Sequence, residues 1–190
     1  MTGDRDDLGR AALVVIDVER GFDEPAWGRR DNPACEANVG RLIGAWRERG
    51  GPVVFVRHLS DTPGSPLTGE GAEFKDEVTG EPDLLVTKSV HSAFYGRPDL
   101  HAWLQEREVG TVAVCGITTD HCCETTARMA GDLGYRVLFV RDATHTFDRV
   151  APDGTVVPAE QVSLATAASL HGEFAEVVAT DDLAPRPAAV

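Results

Sequence analysis

Apolar runs of strand length alternate with helix-length amphipathic segments along most of the chain. The predicted strands are Ala11–Ile16, Val53–Val56, Leu84–Thr87, Thr111–Cys115, Arg136–Val140 and Phe174–Ala179. Near-continuous apolar strands are typical of a parallel sheet that is covered on both faces. Helices are predicted near residues 34–49, 98–107, 120–133 and 159–172. This β-α-β rhythm predicts a three-layer α/β/α domain with right-handed crossovers, and it leaves the strand order open.

Two connections between the predicted elements are long. The segment Ser60–Asp83 is rich in Gly, Pro, Thr and acidic residues, which predicts a surface loop or a lid, and Phe22–Asn32 carries Trp27 directly after the first strand. Loops of this length in a compact domain are often functional. We expect a single domain over residues 1–190, with a core at about 11–182 and short flexible tails. The tail from Leu183 is expected to be disordered or packed on a neighbouring molecule.

Composition narrows the classes of partner. The chain has 190 residues, of which 42% are hydrophobic, and its formal net charge is −13. That charge argues against nucleic acid or an anionic membrane as a partner, because both select basic surfaces. The first residues lack the apolar region of a secretory signal, and no apolar run approaches the roughly 20 residues that span a bilayer. We therefore expect a cytoplasmic protein that binds a small molecule.

The four cysteines predict reactivity or simple burial. In a reducing compartment a disulfide framework is not expected, and the sequence contains no C-x-x-C pair, no H-E-x-x-H motif and no run of closely spaced histidines. We therefore expect no structural zinc site, no other metal and no cofactor.

The segment from Gly116 to Glu124 carries the strongest chemical signal. An apolar strand leads into a glycine turn, and a helix is predicted to begin with Cys122 in its first turn. Thr119 or Asp120 is expected to cap that helix, where unpaired N–H groups and the helix dipole stabilise a thiolate. A nucleophilic cysteine makes an enzyme the leading hypothesis, with a small buried hydrophobic residue as the alternative for Cys122.

Two further polar residues end predicted strands. Asp17 ends the first strand and Lys88 ends the third, while Cys122 follows the fourth. Ligands of open parallel sheets bind outside the carboxyl ends of the strands, so we expect these three side chains to meet. A carboxylate can take the thiol proton, an ammonium favours both anions, and helix N–H groups can bind an oxyanion. The alternatives are a turn cap for Asp17 and a solvated lysine for Lys88.

Taken in order and spacing, these motifs resemble the isochorismatase-like cysteine hydrolases. The resemblance rests on Val14–Asp17 followed by Gly21-Phe22, on Lys88 followed by Ser92–Phe94, on Gly116–Cys122, and on Asp142–His145. It runs from about Ala11 to Asp182. It implies a Rossmann-like α/β/α fold with a six-stranded, mostly parallel sheet and a homo-oligomer, either a dimer or a tetramer.

The same resemblance implies roles for individual residues. Asp17, Lys88 and Cys122 would form a catalytic triad, and the backbone N–H groups of Thr118 and Cys122 would form the oxyanion hole. The peptide bond between Ile117 and Thr118 would be cis.

Two departures from the family pattern narrow the reaction. Nicotinamidase-like members bind a metal through an Asp-x-His pair and further histidines after the second strand, whereas here that region reads Phe55 to Asp61 with His58 alone. Members that cleave the vinyl ether of isochorismate can dispense with the cysteine, so its presence favours hydrolysis of a C–N bond in an amide, carbamoyl or lactam group. The alternatives are a metal-dependent nicotinamidase-type amidase, an isochorismatase, and a non-enzymatic α/β binding domain. No G-x-G-x-x-G motif supports the last of these.

Several loop residues are candidates for substrate contacts because they follow strand ends, although ordinary loop packing explains each equally well. They are Phe22, Trp27, His58, Phe94, Tyr95 and His145.

The other cysteines, Cys35, Cys115 and Cys123, are expected to be structural. His121 precedes the nucleophile, and adjacent helix positions do not face each other, so Asp17 is the preferred base.

Overall fold

Six parallel strands form the central sheet. The computed structural model describes residues 5–185, in which the strands are β1 (Ala12–Ile16), β2 (Val53–His58), β3 (Leu84–Lys88), β4 (Thr111–Ile117), β5 (Arg136–His145), β6 (Arg149–Val150), β7 (Val156–Val157) and β8 (Glu176–Val178). The sheet order is β3-β2-β1-β4-β5-β8, and each neighbouring pair is parallel. β6 and β7 form a separate antiparallel hairpin.

The strand order reverses direction next to β1. The chain moves outward from β1 through β2 to β3, then crosses to the other side of β1 and continues outward through β4 and β5. Such a reversal opens a crevice at the carboxyl ends of the two strands that flank it. The ends of β1 and β4 therefore mark the place where a ligand site is expected.

Helices cover both faces of the sheet. They are α1 (Cys35–Glu48), α2 (Leu100–Glu106), α3 (Glu124–Asp132), α4 (Ala159–Leu170) and the one-turn α5 (Thr180–Leu183). Short 3₁₀ turns occur at Arg5–Arg10, Arg20–Asp23, Pro25–Trp27, Gly69–Ala72 and Ala93–Tyr95. The predicted α/β/α fold is confirmed. No helix among residues 5–185 is long and apolar enough to cross a membrane.

Alternation along β1 explains the two core layers. Leu13 and Val15 pack in the layer that contains α1 and α5, whereas Val14 and Ile16 pack in the layer that contains residues of α2, α3 and α4. Successive side chains of a strand point to opposite faces, so an all-apolar strand supplies both layers. This double burial fixes β1 at the centre of the sheet.

The carboxyl-terminal segment corrects one prediction. Leu183 and Ala184 are only 6% and 5% exposed and pack into the core. Their carbonyl groups accept hydrogen bonds from Arg49 and Arg41 of α1. The tail from Leu183 is therefore ordered on its own domain through Ala184, because apolar side chains and arginine donors hold it there. The remaining tail prediction falls largely on residues 1–4 and 186–190, which lie outside the described part of the chain.

Candidate active site

Asp17, Lys88 and Cys122 meet at the carboxyl edge of the sheet. Lys88 Nζ lies 2.6 Å from Asp17 Oδ2, and both side chains are fully buried. The same ammonium lies 3.4 Å from Cys122 Sγ. Asp17 follows β1, Lys88 is the last residue of β3 and Cys122 lies in the turn after β4, so all three come from the carboxyl edge of the sheet.

The cysteine turn differs from the prediction. Residues Thr119–Cys123 form a π-helical turn that precedes α3, and the carbonyl of Thr118 accepts hydrogen bonds from the N–H groups of His121 and Cys123. Neither Thr119 nor Asp120 caps the helix. The Thr119 hydroxyl donates a hydrogen bond to the Thr144 hydroxyl, and the Asp120 carboxylate accepts hydrogen bonds from the partners described below. The predicted cap is therefore wrong, because these side chains have stronger tertiary partners. The Ile117–Thr118 peptide bond is cis.

Burial controls the state of the thiol. Cys122 is 7% exposed, and burial raises the pKa of its thiol. The Asp17 carboxylate raises that pKa further, and the Lys88 ammonium offsets only part of the increase. At neutral pH the thiol of the unliganded protein therefore keeps its proton. This differs from the prediction of a stabilised thiolate, and it requires a base that removes the proton during the reaction.

Asp17 is positioned to be that base. Its φ of 50° lies in the left-handed region, which is uncommon for residues other than glycine and often marks functional positions. Its Oδ2 binds Lys88, whereas its Oδ1 is buried with no hydrogen-bond partner among the described residues. One free carboxylate oxygen beside a protonated thiol is the arrangement that proton transfer needs.

The charge of Lys88 follows from the same contacts. Burial lowers the pKa of Lys88, but attraction to the Asp17 carboxylate and to Cys122 outweighs burial, so the pKa lies above its ordinary value. The ammonium therefore stays protonated and holds Asp17 in place.

A divalent metal does not fit this cluster. Asp17, His58 and Cys122 offer ligand atoms that lie within 4.8 Å of one another. However, Lys88 Nζ contacts all three, at 2.6 Å from Asp17 Oδ2, 3.1 Å from His58 Nδ1 and 3.4 Å from Cys122 Sγ. The ammonium already supplies the positive charge at the point where these ligand atoms converge.

Glu19 is a buried carboxyl group that the sequence analysis missed. Its side chain is fully buried, Oε1 accepts the backbone N–H of His58, and Oε2 has no partner among the described residues. Burial and repulsion by Asp17 raise the pKa of Glu19 to about 9, although the His58 N–H, Lys88 and Arg57 oppose the shift. Glu19 is therefore neutral at pH 7.

A cavity of about 530 Å³ opens above the cysteine. Its lining comprises the cysteine turn, an aromatic wall and the first part of the long loop, namely Phe22, Trp27, His58, Ser60, Asp61, Thr62, Pro63, Gly64, Ser65, Pro66, Leu67, Ser89, His91, Thr118, His121 and Cys122. The aromatic wall continues behind the lining, since the Trp27 ring lies 5.1 Å from Phe22 and 5.5 Å from Phe147.

The candidate substrate contacts divide into two groups. Phe22, Trp27 and His58 line the cavity, as expected from the sequence. The other three do not. Phe94 is buried against Tyr135, Tyr95 is 69% exposed, and His145 is fully buried beside Phe147. These three assignments are corrected, because the Phe94 and His145 side chains are buried in the core and Tyr95 does not line the cavity.

Sequence reasoning also missed several lining residues. His91, His121 and all of residues 60–67 line the cavity. The sequence signal for residues 60–67 was the length of the loop, which predicted function for the loop but not for individual side chains.

An ion pair supports the cysteine turn from the other side. Arg149, on the β6–β7 hairpin, donates to Asp120 through Nε at 2.7 Å and through Nη2 at 2.9 Å. The same Nη2 lies 3.5 Å from Thr118 Oγ1, and Asp120 also accepts the Thr146 hydroxyl. Burial opposes ionisation of Asp120, but the bonds from Arg149 and Thr146 outweigh it and lower the pKa of Asp120 to about 2.

Comparison with known proteins agrees with this geometry. The model of the isochorismatase domain matches residues 11–182. The uncharacterized isochorismatase family protein YrdC of Bacillus subtilis is 36% identical over 177 residues, which cover 92% of this chain and 94% of that protein. Nicotinamidase 3 of Arabidopsis thaliana is 35% identical over 77% of this chain and 79% of its own length.

Solved structures agree with the fold as well. The crystal structure of a cysteine hydrolase from Pseudomonas syringae pv. phaseolicola has a TM-score of 0.83 and 26% sequence identity, and the match covers 96% of each chain. Because the family model spans nearly the whole chain and the strand-end cluster stands where a catalytic site is expected, the chain belongs to the isochorismatase family of hydrolases.

Proposed function

We propose that the protein is a cysteine amidohydrolase that cleaves the C–N bond of a small amide, carbamoyl or lactam substrate through a thioester, with Asp17, Lys88 and Cys122 as its catalytic triad. One observation carries the proposal. Asp17 has one oxygen fixed by Lys88 and a second, buried oxygen without a partner among the described residues, in a cluster with the Cys122 thiol.

The first half of the reaction forms the thioester. Asp17 takes the proton of the Cys122 thiol as sulfur attacks the carbonyl carbon, and the π electrons of the carbonyl move to its oxygen. The N–H groups of Thr118 and Cys122 donate hydrogen bonds to this oxyanion, and one such donor contributes about 3 kcal/mol in other enzymes. The C–N bond then breaks, and the leaving nitrogen receives the proton from Asp17.

The second half releases the acid. Asp17 takes a proton from a water molecule, whose oxygen attacks the thioester carbonyl. The C–S bond breaks, and the proton returns from Asp17 to the sulfur of Cys122. Lys88 holds the Asp17 carboxylate in position before each proton transfer.

The named relatives support amide chemistry without assigning a substrate. The Arabidopsis relative is named as an amidase, and the Pseudomonas syringae protein is described as a cysteine hydrolase. Nicotinamide, N-carbamoyl compounds, ureido acids and lactams therefore form the first substrate panel, and isochorismate is included to test ether hydrolysis.

Replacement of the nucleophile tests the proposal. We expect Cys122→Ala to lower kcat/KM about a thousandfold or more on any amide that the wild type cleaves, since the covalent route is lost. Mass spectrometry of wild type with a slow substrate should detect an acyl group on the peptide that contains Cys122.

The matched control is Cys123→Ala, which removes a neighbouring thiol that is fully buried in the core. It should keep amide hydrolysis wherever circular dichroism finds it folded. Equal activity of the Cys122→Ala variant and wild type would contradict the triad, and activity lost on dialysis against a chelator would favour a metal-dependent amidase instead.

A further inference from the structure

The wall of the cavity above Cys122 carries an acidic side chain and no basic counterpart. Asp61 lines the cavity, and none of its lining residues within the described part of the chain is Lys or Arg. Asp61 is exposed and forms no hydrogen bond or salt bridge with another described residue. Its charge is therefore available to a ligand.

The cations nearest to the cavity are already neutralised. Lys88 pairs with Asp17, and Arg149 pairs with Asp120. Arg57 of β2, next to His58, lies 3.6 Å from Glu73 and stacks over Phe74. These pairs sum to zero, and Asp61 is the only Asp, Glu, Lys or Arg among the described residues that line the cavity.

The aromatic wall favours the same sign of charge. Phe22 and Trp27 line the cavity on one side, and the faces of aromatic rings attract cations. A substrate carboxylate would meet Asp61 and these rings with no arginine or lysine to bind it. Bidentate recognition of a carboxylate normally uses arginine.

We propose that the cavity selects amides whose non-reacting part carries a positive charge, such as an ammonium, a guanidinium or a cationic ring nitrogen, and that Asp61 determines this selection. For the reaction itself this inference rests on the proposed amidohydrolase function. The preference for charge is a property of the cavity, so it can also be measured without amide hydrolysis.

The expected effect is moderate because Asp61 is exposed to solvent. A unit charge pair at about 4 Å in water changes binding by a factor of about five, and partial exclusion of water by a bound ligand increases that factor. We therefore expect a change in selectivity of about threefold to thirtyfold when the charge of Asp61 is removed.

Charged thiol reagents provide the direct test. Methanethiosulfonates with an ethylammonium or an ethylsulfonate group differ mainly in charge. In each case the Cys122 thiol loses its proton to Asp17 or solvent, its sulfur attacks the sulfenyl sulfur, the bond to the sulfonyl sulfur breaks, a disulfide forms and methanesulfinate leaves. The other cysteines are fully buried, so labelling reports on Cys122. The readout is the labelling rate with the cationic reagent divided by the labelling rate with the anionic reagent. This ratio is divided by the same ratio for a small free thiol, which gives the normalised ratio.

We expect a normalised ratio above one for wild type and a ratio at least threefold lower for Asp61→Asn. The matched control is Asp132→Asn, which removes the same charge from the exposed far end of α3, about 12 Å along the helix from its first residue. It should behave like wild type. A wild-type ratio at or below one, or a ratio that Asp61→Asn leaves unchanged, would overturn the inference.

Three small ureas extend the test to catalysis. N-(2-aminoethyl)urea is cationic, N-carbamoylglycine methyl ester is neutral and N-carbamoylglycine is anionic. We expect kcat/KM to fall in that order, with a smaller spread in Asp61→Asn. A preference for the anion would overturn the inference. If none of the three is cleaved, the proposed function loses support, and the labelling ratio alone decides the charge preference.

Discussion

At the scale of single residues, Glu19 gives the site a dependence on pH. The pKa of its buried carboxyl is about 9 in the folded protein, against an ordinary value of 4.5. The folded state therefore binds this proton more tightly than the unfolded chain does. The stability that the proton contributes is fully present below pH 4.5 and is lost as the pH rises towards 9.

We predict that Glu19→Gln flattens this dependence. Glutamine keeps the acceptor for the His58 N–H and is neutral at every pH, so the Tm of the variant relative to wild type should rise between pH 5 and pH 9. Thermal unfolding followed by circular dichroism measures the difference. Glu173→Gln, which removes an exposed carboxylate, should follow the wild-type curve. A constant difference between Glu19→Gln and wild type across this range would contradict the assignment of a neutral Glu19.

Sequence reasoning found some residues of the site and missed others for a physical reason. Asp17 and Lys88 end apolar runs, and a polar residue at that point of a parallel sheet must lie at the ligand edge. Glu19 lies two residues beyond Asp17 and resembles any charged loop residue, because its burial depends on the path of the chain after the strand. The assignment of His145 as a substrate contact was wrong for the same reason. Its strand β5 continues five residues past the predicted end and carries the ring into the core.

At the scale of elements, the β6–β7 hairpin supports the cysteine turn. Its Arg149 donates hydrogen bonds to Asp120 and lies 3.5 Å from Thr118 Oγ1, so one positively charged side chain contacts the turn that carries the proposed oxyanion hole. The hairpin was not predicted, because strands of two residues are too short for a pattern of alternation.

We predict that Arg149→Met lowers kcat/KM about tenfold, because the Thr118–Cys122 turn loses its support. Most of this loss should be a lower kcat rather than a higher KM. It should also destabilise the fold by about 1–3 kcal/mol, since the Asp120 carboxylate stays largely buried without its partner. Steady-state kinetics on any cleaved amide and urea denaturation measure the two effects.

The control for this variant is Arg136→Met, which breaks a solvent-exposed ion pair with Glu176. Such pairs contribute at most about 1 kcal/mol to stability. Arg136 is the first residue of β5 and lies at the opposite end of that strand from the site. Arg149→Lys should restore part of the activity. An Arg149→Met enzyme with wild-type kcat would exclude a positioning role for the hairpin.

At the scale of the whole molecule, the junction of β1 and β4 joins the two halves of the sheet. Gly116 has a φ of 126°, and a Cβ atom at this position would lie 1.9 Å from the carbonyl oxygen of Ile16. Only glycine allows the two central strands to approach this closely. Gly116 was predicted as a turn but is a residue of β4, and its contact with β1 sets the distance between Asp17 and the cysteine turn.

We predict that Gly116→Ala destabilises the protein by about 3 kcal/mol or more, because both the backbone conformation and the strand spacing must change. Urea denaturation measures this against Gly110→Ala, where a Cβ would meet no atom within 4 Å. Similar midpoints for the two variants would contradict the role of this contact. Such a spacing could not be predicted from the sequence, because the pattern of apolar runs does not determine which strands are neighbours.

The loop at residues 60–67 supplies half of the side chains that line the cavity, and none of the proposed triad. Its two ends are joined by a hydrogen bond of 3.1 Å from the Ser60 N–H to the Leu67 carbonyl. This part of the cavity wall and the proposed triad thus lie in separate stretches of the chain. The eight residues of this loop could be exchanged between relatives to change the substrate of the hydrolase, while the strand ends that carry the nucleophile and its base stay unchanged.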